Sequence, residues 1–215
     1  MKIISLSGKA GSGKDTAYEL LSDYLSNQGY SCTKLSFANK LKDNLARMFY
    51  WDRQRLDNDN LYKESMLLDD GTPDPACKAL GLTRRQVMQN YGTDAVRHGL
   101  HNDAWVITLQ LDIQHGVYDK FDFGFITDAR FLNELRLTHV LGGVTLQIQR
   151  IGEDTTLTNH SQHLSELEWM QWDQWDGIVE NPVLNENQDE IEQSKHQFQN
   201  NLITTLSEIT KLECF

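Results

Sequence analysis

Residues 1–21 read MKIISLSGKAGSGKDTAYELL, and this stretch decides the fold of the chain. Its first part, KIISLS at residues 2–7, is a short apolar run with β-branched residues, which is typical of a buried parallel strand. Glycines follow at positions 8, 11 and 13, and glycine lets the backbone adopt positive φ and approach a ligand closely. After Lys14, apolar residues recur with the spacing of one helix face, at Ala17, Leu20, Leu21, Tyr24 and Leu25. The stretch therefore predicts a strand, a glycine-rich loop and an amphipathic helix, in that order.

The loop GKAGSGKDT at residues 8–16 has the form G-x-x-x-x-G-K of a phosphate-binding loop. The pattern normally continues with Ser or Thr, whose hydroxyl ligates the magnesium of a bound nucleotide. Here Asp15 stands at that position and Thr16 follows. Magnesium accepts a carboxylate oxygen as readily as a hydroxyl, directly or through a water, so we predict Asp15 as a magnesium ligand, with Thr16 as the fallback. The predicted nucleotide contacts are Gly8, Lys9, Ala10, Gly11, Ser12, Gly13, Lys14, Asp15 and Thr16.

Composition narrows the class of protein. The chain has 215 residues, 39% of them hydrophobic, and a mean hydropathy of -0.53, which are values of a soluble globular protein. No apolar run approaches the roughly 20 residues of a membrane span, and we expect neither a signal peptide nor a membrane partner. A net charge of -11 argues against nucleic-acid binding, which needs a basic face. The three scattered cysteines predict a reducing, cytoplasmic location.

Strand and helix patterns alternate along the chain. Apolar runs predict further strands at 33–38, 121–128, 144–150 and 176–181, with helical patterns between and after them. Such alternation predicts an α/β fold with three layers, α/β/α, around a parallel sheet of about five strands. Ligands in these folds bind beyond the carboxyl ends of the strands. We therefore expect Asp128, which ends one strand, and Arg130 just after it to lie beside the phosphate loop.

Two segments have a less regular pattern. Residues 51–82 are polar and rich in turn signals, of which DDGTPDP at 69–75 is the clearest. RRQVMQNYG predicts a short helix that ends near Gly92, and Asn102 or Asp103 can cap the helix that follows.

Several motifs together resemble those of the deoxynucleoside monophosphate kinases of tailed bacteriophages. They are LSGKAGSGKDT, SFANKLK, TRRQVMQNYGTD, DAW at 103–105, TDARFLNE, NHSQHLSE and DGIVEN, and they occur in the order of that family over nearly the whole chain. The combination of R-x-x-M-Q-x-x-G-T-D with D-x-R-x-x-x-E is more specific than the phosphate loop. The Lys-Asp-Thr of the loop is also found in this family.

The resemblance implies a single P-loop nucleoside-kinase domain over residues 1–215. It would transfer the γ-phosphoryl of ATP, with Mg²⁺, to a deoxynucleoside monophosphate to give the diphosphate, supplying deoxynucleotides for phage DNA replication in the host cytoplasm. An acceptor-binding insertion would span about 38–103 and a mobile lid about 151–165, with His160, Ser165 and Glu166 in the lid. By position, the acceptor nucleotide would be held by Ala38, Asn39, Arg85, Trp105, Asp128, Arg130 and Glu134.

The chemistry of these side chains is compatible with an acceptor nucleotide. Trp105 offers a flat face on which a base can stack. Arginines offer forked donors for a monophosphate, and carboxylates can accept hydrogen bonds from base edges or a sugar hydroxyl. The arginines with this predicted role are Arg85, Arg97 and Arg130, and the carboxylates are Asp94, Asp103 and Glu134.

Cations are scarce in one part of the chain. Residues 151–194 contain no Lys or Arg but eleven Asp and Glu, so the lid has no arginine to offer to the transferred phosphoryl group. Phosphoryl transfer depends mainly on positioning and on neutralising charge on the moving group. We therefore predict Lys14, Arg130 and Arg150, the last cation before the lid, as the catalytic residues.

Two other functions stay open. Animal-type phosphomevalonate kinases have a similar lysine-aspartate phosphate loop, so another small-molecule kinase is the alternative, although Trp105 favours a nucleotide acceptor. A nucleotide-binding switch that acts through a partner would need no acceptor pocket, and a fold alone does not decide between them. The sequence indicates neither the accepted bases nor the oligomeric state, and a homodimer stays open.

Overall fold

The computed structural model describes residues 1–151, 168–182 and 188–210. Contacts between residues divide the chain into two units. The first unit comprises Met1–Ser36 and Gln110–Phe215, and the second comprises Phe37–Leu109.

The first unit contains one parallel sheet, with five strands among the described residues. The strands are β1 (Lys2–Ser7), β2 (Cys32–Leu35), β3 (Phe123–Ile126), β4 (Val144–Arg150) and β5 (Gly177–Asn181). They confirm the predicted strands, most of them slightly shortened. The order in the sheet is β2-β3-β1-β4-β5, so β1 lies in the middle and pairs with β3 and β4. All neighbouring strands are parallel, and their carboxyl ends therefore share one edge of the sheet.

Helices cover both faces of this sheet, which confirms the three-layer α/β/α fold. Side chains alternate between the two faces of a strand, so Ile4 and Leu6 of β1 point to one face. There they pack with the apolar stripes of α1 (Lys14–Asn27) and α9 (Gln188–Thr210) in the main core. Helix α8 (Leu132–Val140) packs against β1 and β4. In the last helix, Phe198, Leu202 and Leu206 lie on one stripe and are fully buried. Among its described residues, the unit also contains a 3-10 turn at Glu168–Gln171.

The second unit is helical, and residues 51–82 contain three short helices where the sequence pattern indicated mainly turns. Each begins at an aspartate whose carboxylate accepts N–H bonds of the first turn: Asp52, Asp59 and Asp74. Such caps stabilise short helices whose apolar periodicity is too brief to detect. The predicted turn at 69–75 lies between the second and third. The helices of the unit are α2 (Asn39–Phe49), α3 (Arg53–Asn58), α4 (Asn60–Glu64), α5 (Pro75–Leu80), α6 (Arg84–Gln89) and α7 (Ala104–Gln114), which continues into the first unit.

A buried ion pair fixes the loop between these short helices. The Arg84 guanidinium is completely buried and donates to Asp74 Oδ2 over 2.7 Å. It also donates to the main-chain carbonyls of Tyr62 and Ser65, at 3.1 and 2.9 Å, and stacks 3.9 Å from the centre of the Tyr62 ring. Trp51 Nε1 donates to the same Asp74 oxygen over 3.1 Å. The polar, turn-rich segment is therefore organised around one buried arginine.

The expectation that a helix ends near Gly92 is wrong. Helix α6 continues without a break into a π-helix at Asn90–His98. Gly92 is buried there, and a Cβ added to it would lie 2.5 Å from Leu41 Cδ1. This glycine allows close packing against α2 instead of ending a helix, and its φ is not positive. The next helix begins at Ala104, directly after Asn102 and Asp103, the two residues predicted to precede it.

None of the helices in the described ranges is both long and apolar enough to cross a membrane.

Candidate phosphate-binding site

The stretch β1–loop–α1 has the predicted conformation. Gly8, Gly11 and Gly13 have φ of 150°, 81° and 98°, in the region that side chains disfavour. Gly13 is the N-cap of α1 and provides no side-chain oxygen, so no side chain caps the first turn from that position. The N–H groups and the positive dipole end of a 14-residue helix therefore face the loop. This arrangement suits an anion such as a phosphate.

Two of these glycines are also required by space. A Cβ on Gly8 would lie 2.4 Å from the Ile148 carbonyl oxygen, and one on Gly13 would lie 2.3 Å from Asn181 Nδ2. The loop is thus seated directly on the carboxyl ends of β4 and β5. The first and last glycines of the motif are therefore required for two reasons, the close approach of neighbouring atoms and the positive φ.

The Lys14 side chain lies over the loop. Its Nζ donates to the carbonyl oxygens of Gly8 and Lys9, at 2.9 and 2.7 Å. Ser12 N–H closes the turn by donating to the Lys9 carbonyl over 3.2 Å. Two carbonyls of the loop itself therefore hold the ammonium group in place.

Asp15 follows in the first turn of α1, and its carboxylate is 74% exposed. It forms an ion pair with Lys34 and accepts a 3.3 Å hydrogen bond from Thr127 Oγ1. Partial burial raises the pKa of Asp15, but the hydrogen bond and charge of Lys34, with smaller contributions from Thr127 and Lys14, give a net lowering below the usual value. The carboxylate is therefore ionised at neutral pH.

These features fit one protein ligand for magnesium. Mg²⁺ prefers hard oxygen ligands and usually retains several waters, with one or two carboxylates and substrate phosphates completing its shell. Among the described residues no three His, Cys, Asp or Glu side chains group as a metal cluster. Asp15 would therefore hold the ion together with the phosphates and waters. Lys34, its present partner, would have to move or share the carboxylate.

The segment after β3 lies beside the loop, as its topology predicts. Ser7 Oγ, at the end of β1, donates to the Ala129 carbonyl over 2.8 Å, and Thr127 reaches Asp15 as described. Asp128 Oδ2 accepts a 2.5 Å bond from Ser36 Oγ, at the end of β2. The carboxyl ends of three adjacent strands thus converge near the phosphate loop.

Glu134 organises the chain that follows. The residue is 3% exposed, and its Oε2 accepts the N–H groups of Arg130 and Phe131, at 2.7 and 3.1 Å. The carboxylate therefore caps α8 and fixes the backbone that carries Arg130. In this structure Glu134, predicted to contact the acceptor, holds main chain.

The carboxyl ends of β4 and β5 contribute two further side chains. Arg150 Nη1 donates to the Gly11 carbonyl over 3.3 Å, so this predicted catalytic residue does contact the loop. Asn181 Nδ2 donates to the Ser12 carbonyl over 2.8 Å. Sequence reasoning assigned no role to Asn181, although it ends the motif DGIVEN and the last strand, just before Pro182.

Predicted acceptor residues of the second unit have partners within it. Arg85 forms an ion pair with Glu64 and a 3.3 Å hydrogen bond to Asn60 Oδ1. Asp94 is 65% exposed and lies 3.5 Å from His98 Nδ1. Both contacts are exposed, and an exposed ion pair such as Arg85–Glu64 is typically worth less than about 1 kcal/mol.

Trp105 and Arg97 are more deeply placed. Trp105 is 6% exposed, and its Nε1 donates to the Gly92 carbonyl in the π-helix over 3.0 Å. Arg97 is 4% exposed and donates to the Asn102 carbonyl over 2.8 Å. Both side chains therefore support the π-helical segment in this structure.

The remaining predicted acceptor residues lie at helix starts. Ala38 is the N-cap of α2, and Asn39 Oδ1 accepts a 3.2 Å bond from Arg53 Nη2. Asp103 N–H donates to His101 Nδ1 over 3.0 Å, just before α7. The predicted lid, including His160, Ser165 and Glu166, lies outside the described residues except for Ile151.

No protein-family model matches the sequence, and no curated protein matches it. Among solved structures, cobyrinic acid a,c-diamide synthase from Mycobacterium smegmatis, with bound ATP analogue and magnesium, is 11% identical over 99% of this chain and 84% of its own, with a TM-score of 0.41. TT1252 from Thermus thermophilus is 17% identical over 97% of this chain and 98% of its own, with a TM-score of 0.44. At these scores the similarities carry no argument about what this chain binds or does. From its own structure, the chain is a three-layer α/β/α protein with a glycine-rich loop of the G-x-x-x-x-G-K pattern between β1 and α1.

Proposed function

We propose that the protein is a nucleotide kinase that transfers the γ-phosphoryl group of ATP to a deoxynucleoside monophosphate. The observation that carries the donor half is the loop of Gly8–Lys14. Its three glycines with positive φ, the uncapped start of α1 and the Lys14 ammonium meet at one place. Together they provide the N–H donors, dipole and cation that a polyphosphate requires.

The donor site would work by exchange of partners. Lys14 Nζ, now bound to two loop carbonyls, would turn to the β- and γ-phosphates, which offer stronger, charged acceptors. Asp15 is ionised and exposed, and it would hold Mg²⁺. Bound magnesium would supply neutralisation of phosphate charge.

The acceptor half of the proposal rests on the sequence resemblance. Arg85 supports it physically, because its present partner Glu64 is 46% exposed. An exposed ion pair of this kind contributes little, and a phosphate monoester carries nearly two charges and three acceptor oxygens. The acceptor phosphate can therefore compete for the Arg85 guanidinium. Trp105 would contribute its ring to the acceptor base.

Catalysis would depend on placing cations around the transferred group. Lys14 and Arg150 both contact the loop. Arg130 comes directly after the segment that binds at the edge of the loop, where Thr127 donates to Asp15 and the Ala129 carbonyl accepts from Ser7. We assign Arg130 to the acceptor phosphate and Arg150 to the group in transfer. Arginine suits both roles because its planar fork binds two oxygens at once.

The test is a coupled assay of ADP release with ATP and each of the four deoxynucleoside monophosphates, with phosphomevalonate, and without an acceptor. We expect turnover with at least one deoxynucleoside monophosphate, and essentially none with phosphomevalonate or in the absence of an acceptor. The Lys14→Met variant should lose that activity, whereas Lys78→Met, which changes an exposed lysine of α5, should retain it. Turnover with phosphomevalonate and with none of the monophosphates would assign the protein to the other class of kinase. ATP hydrolysis that is indifferent to every acceptor would favour a nucleotide switch.

A further inference from the structure

Two paired residues hold consecutive carbonyls of the phosphate loop. Arg150 and Asn181 are register partners at the carboxyl ends of β4 and β5. Arg150 donates to the Gly11 carbonyl over 3.3 Å, and Asn181 donates to the Ser12 carbonyl over 2.8 Å. The two contacts differ in setting, since the Arg150 contact is exposed and the Asn181 contact is partly buried.

The Ser12 carbonyl needs such a donor. Ser12 is 2% exposed, and a buried carbonyl without a hydrogen bond is destabilising. Because a trans peptide is planar, the Ser12 carbonyl and the Gly13 N–H point in opposite directions. By binding the carbonyl, Asn181 fixes the Gly13 N–H on the side of the peptide away from itself. Oriented N–H groups are what a phosphate loop offers to its ligand.

The fit between Asn181 and the loop is close. Gly13 has a φ of 98°, and a Cβ there would lie 2.3 Å from Asn181 Nδ2. The main chain of Asn181 is fixed as well, because its carbonyl accepts the Ile151 N–H over 2.9 Å. Because its main chain is fixed in the sheet, the Asn181 side-chain amide stays in contact with the loop.

We infer that Asn181 is a positioning residue of the phosphate site, which orients the Ser12–Gly13 peptide for binding the polyphosphate of the donor nucleotide. This role rests on the proposed function, since it assumes that the loop binds ATP. Arg150 can then turn toward the transferred phosphoryl group while Asn181 keeps the loop in its binding conformation.

The test is isothermal titration of wild type and variants with MgATP and, as a probe without base or sugar, with inorganic tripolyphosphate. Asn181→Leu keeps the approximate size but removes the donor. We expect it to weaken both ligands about tenfold, which corresponds to about 1.4 kcal/mol. Asn181→Asp should weaken them at least as much, because its carboxylate faces the Ser12 carbonyl. Asn181→Gln, which retains a donor, should recover part of the affinity.

Asn201→Leu is the matched control. Asn201 Nδ2 donates over 3.0 Å to the Glu180 carbonyl, one residue before Asn181, and this variant should bind both ligands like wild type. In the kinase assay, the Asn181 variants should raise the KM for ATP and leave the KM for the acceptor unchanged, which a general loss of stability would not do.

Each other outcome is decisive. A folded Asn181→Leu protein that binds both ligands like wild type overturns the inference while ATP binding stands. Weaker binding of ATP with unchanged tripolyphosphate binding also overturns it, because Asn181 would then act on the base or sugar. If Asn181→Leu does not fold, Asn181→Asp decides, and failure of both to fold assigns Asn181 to the fold alone. A wild-type protein that binds neither ligand refutes the proposed function itself.

Discussion

Removal of the Asp74 carboxylate should strongly destabilise the second unit. Asp74 is 3% exposed, and one of its oxygens accepts bonds from Arg84 and Trp51. Its other oxygen caps α5 by accepting the N–H groups of Ala76 and Cys77, at 2.9 and 3.0 Å. In the Asp74→Ala variant, the completely buried Arg84 guanidinium would keep main-chain carbonyls as hydrogen-bond acceptors but lose its counter-charge.

The magnitude follows from these two roles. Breaking a buried ion pair by removing one partner costs about 3–5 kcal/mol, because the other charge stays buried. Loss of an N-cap costs about 1 kcal/mol. Both losses involve the same carboxylate, so they do not simply add, and we expect about 4 kcal/mol. This is a large share of the roughly 5–15 kcal/mol that keeps a domain folded.

Urea unfolding followed by circular dichroism measures the effect. Asp69→Ala is the matched control, because Asp69 also pairs with an arginine, Arg55, over 2.7 and 2.8 Å, but its side chain is 80% exposed. That variant should lose less than about 1 kcal/mol. If Asp74→Ala unfolds at the same urea concentration as Asp69→Ala, the buried pair does not support the unit and the reasoning is refuted.

The same pair predicts a dependence on pH. Burial raises the pKa of Asp74, but hydrogen bonds from the α5 backbone and the Arg84 charge give a net lowering. The unfolded state therefore binds a proton more readily, and the contribution of Asp74 is present above the unfolded pKa of about 3.9 and is lost as pH falls through the folded pKa. The Asp74→Ala variant should therefore lose less free energy of unfolding than wild type as the pH falls through this range.

Substitutions at three further positions test the candidate site. Asp15→Ala should raise the magnesium concentration that half-saturates activity, whereas Asp15→Ser keeps an oxygen ligand and appreciable activity; an unchanged magnesium titration for Asp15→Ala would leave Asp15 as a helix-start residue only. Trp105→Ala should raise the KM for the monophosphate by an amount equivalent to about 1–3 kcal/mol of lost stacking, with little change for ATP. Because Trp105 is buried, the melting temperature of the Trp105→Ala variant must be measured as well. Equal effects on the KM values of both substrates would assign Trp105 to the fold. Arg150→Lys should lower kcat more than it changes substrate affinity, since the charge remains but the planar fork is lost; an Arg150→Ala enzyme with wild-type turnover would contradict this role.

The sequence by itself determined the strand, loop and helix at the centre of the fold. β1, the glycine loop and α1 are encoded by residues adjacent in the chain, because a strand pattern, positive-φ glycines and a helical apolar stripe are local signals. The alternation of strand and helix patterns also allowed Asp128 and the residues around it to be expected beside the loop, since parallel strands end at one edge. The aspartate caps of α3, α4 and α5 were present in the sequence as well, but helices of five or six residues have too few turns to show periodicity.

Only the tertiary structure decided which polar side chains support the fold and which contact the loop. The sequence gives Arg84 and Arg85 the same chemistry, yet Arg84 is buried against Asp74 and Arg85 forms an exposed pair with Glu64. The π-helix after Gln89 contains Gly92, whose close approach to Leu41 no local signal reports. Asn181 and Ser12 are 169 positions apart. Their contact exists because parallel pairing brings the ends of β1, β4 and β5 together, and pairing between distant segments is a property of the folded sheet.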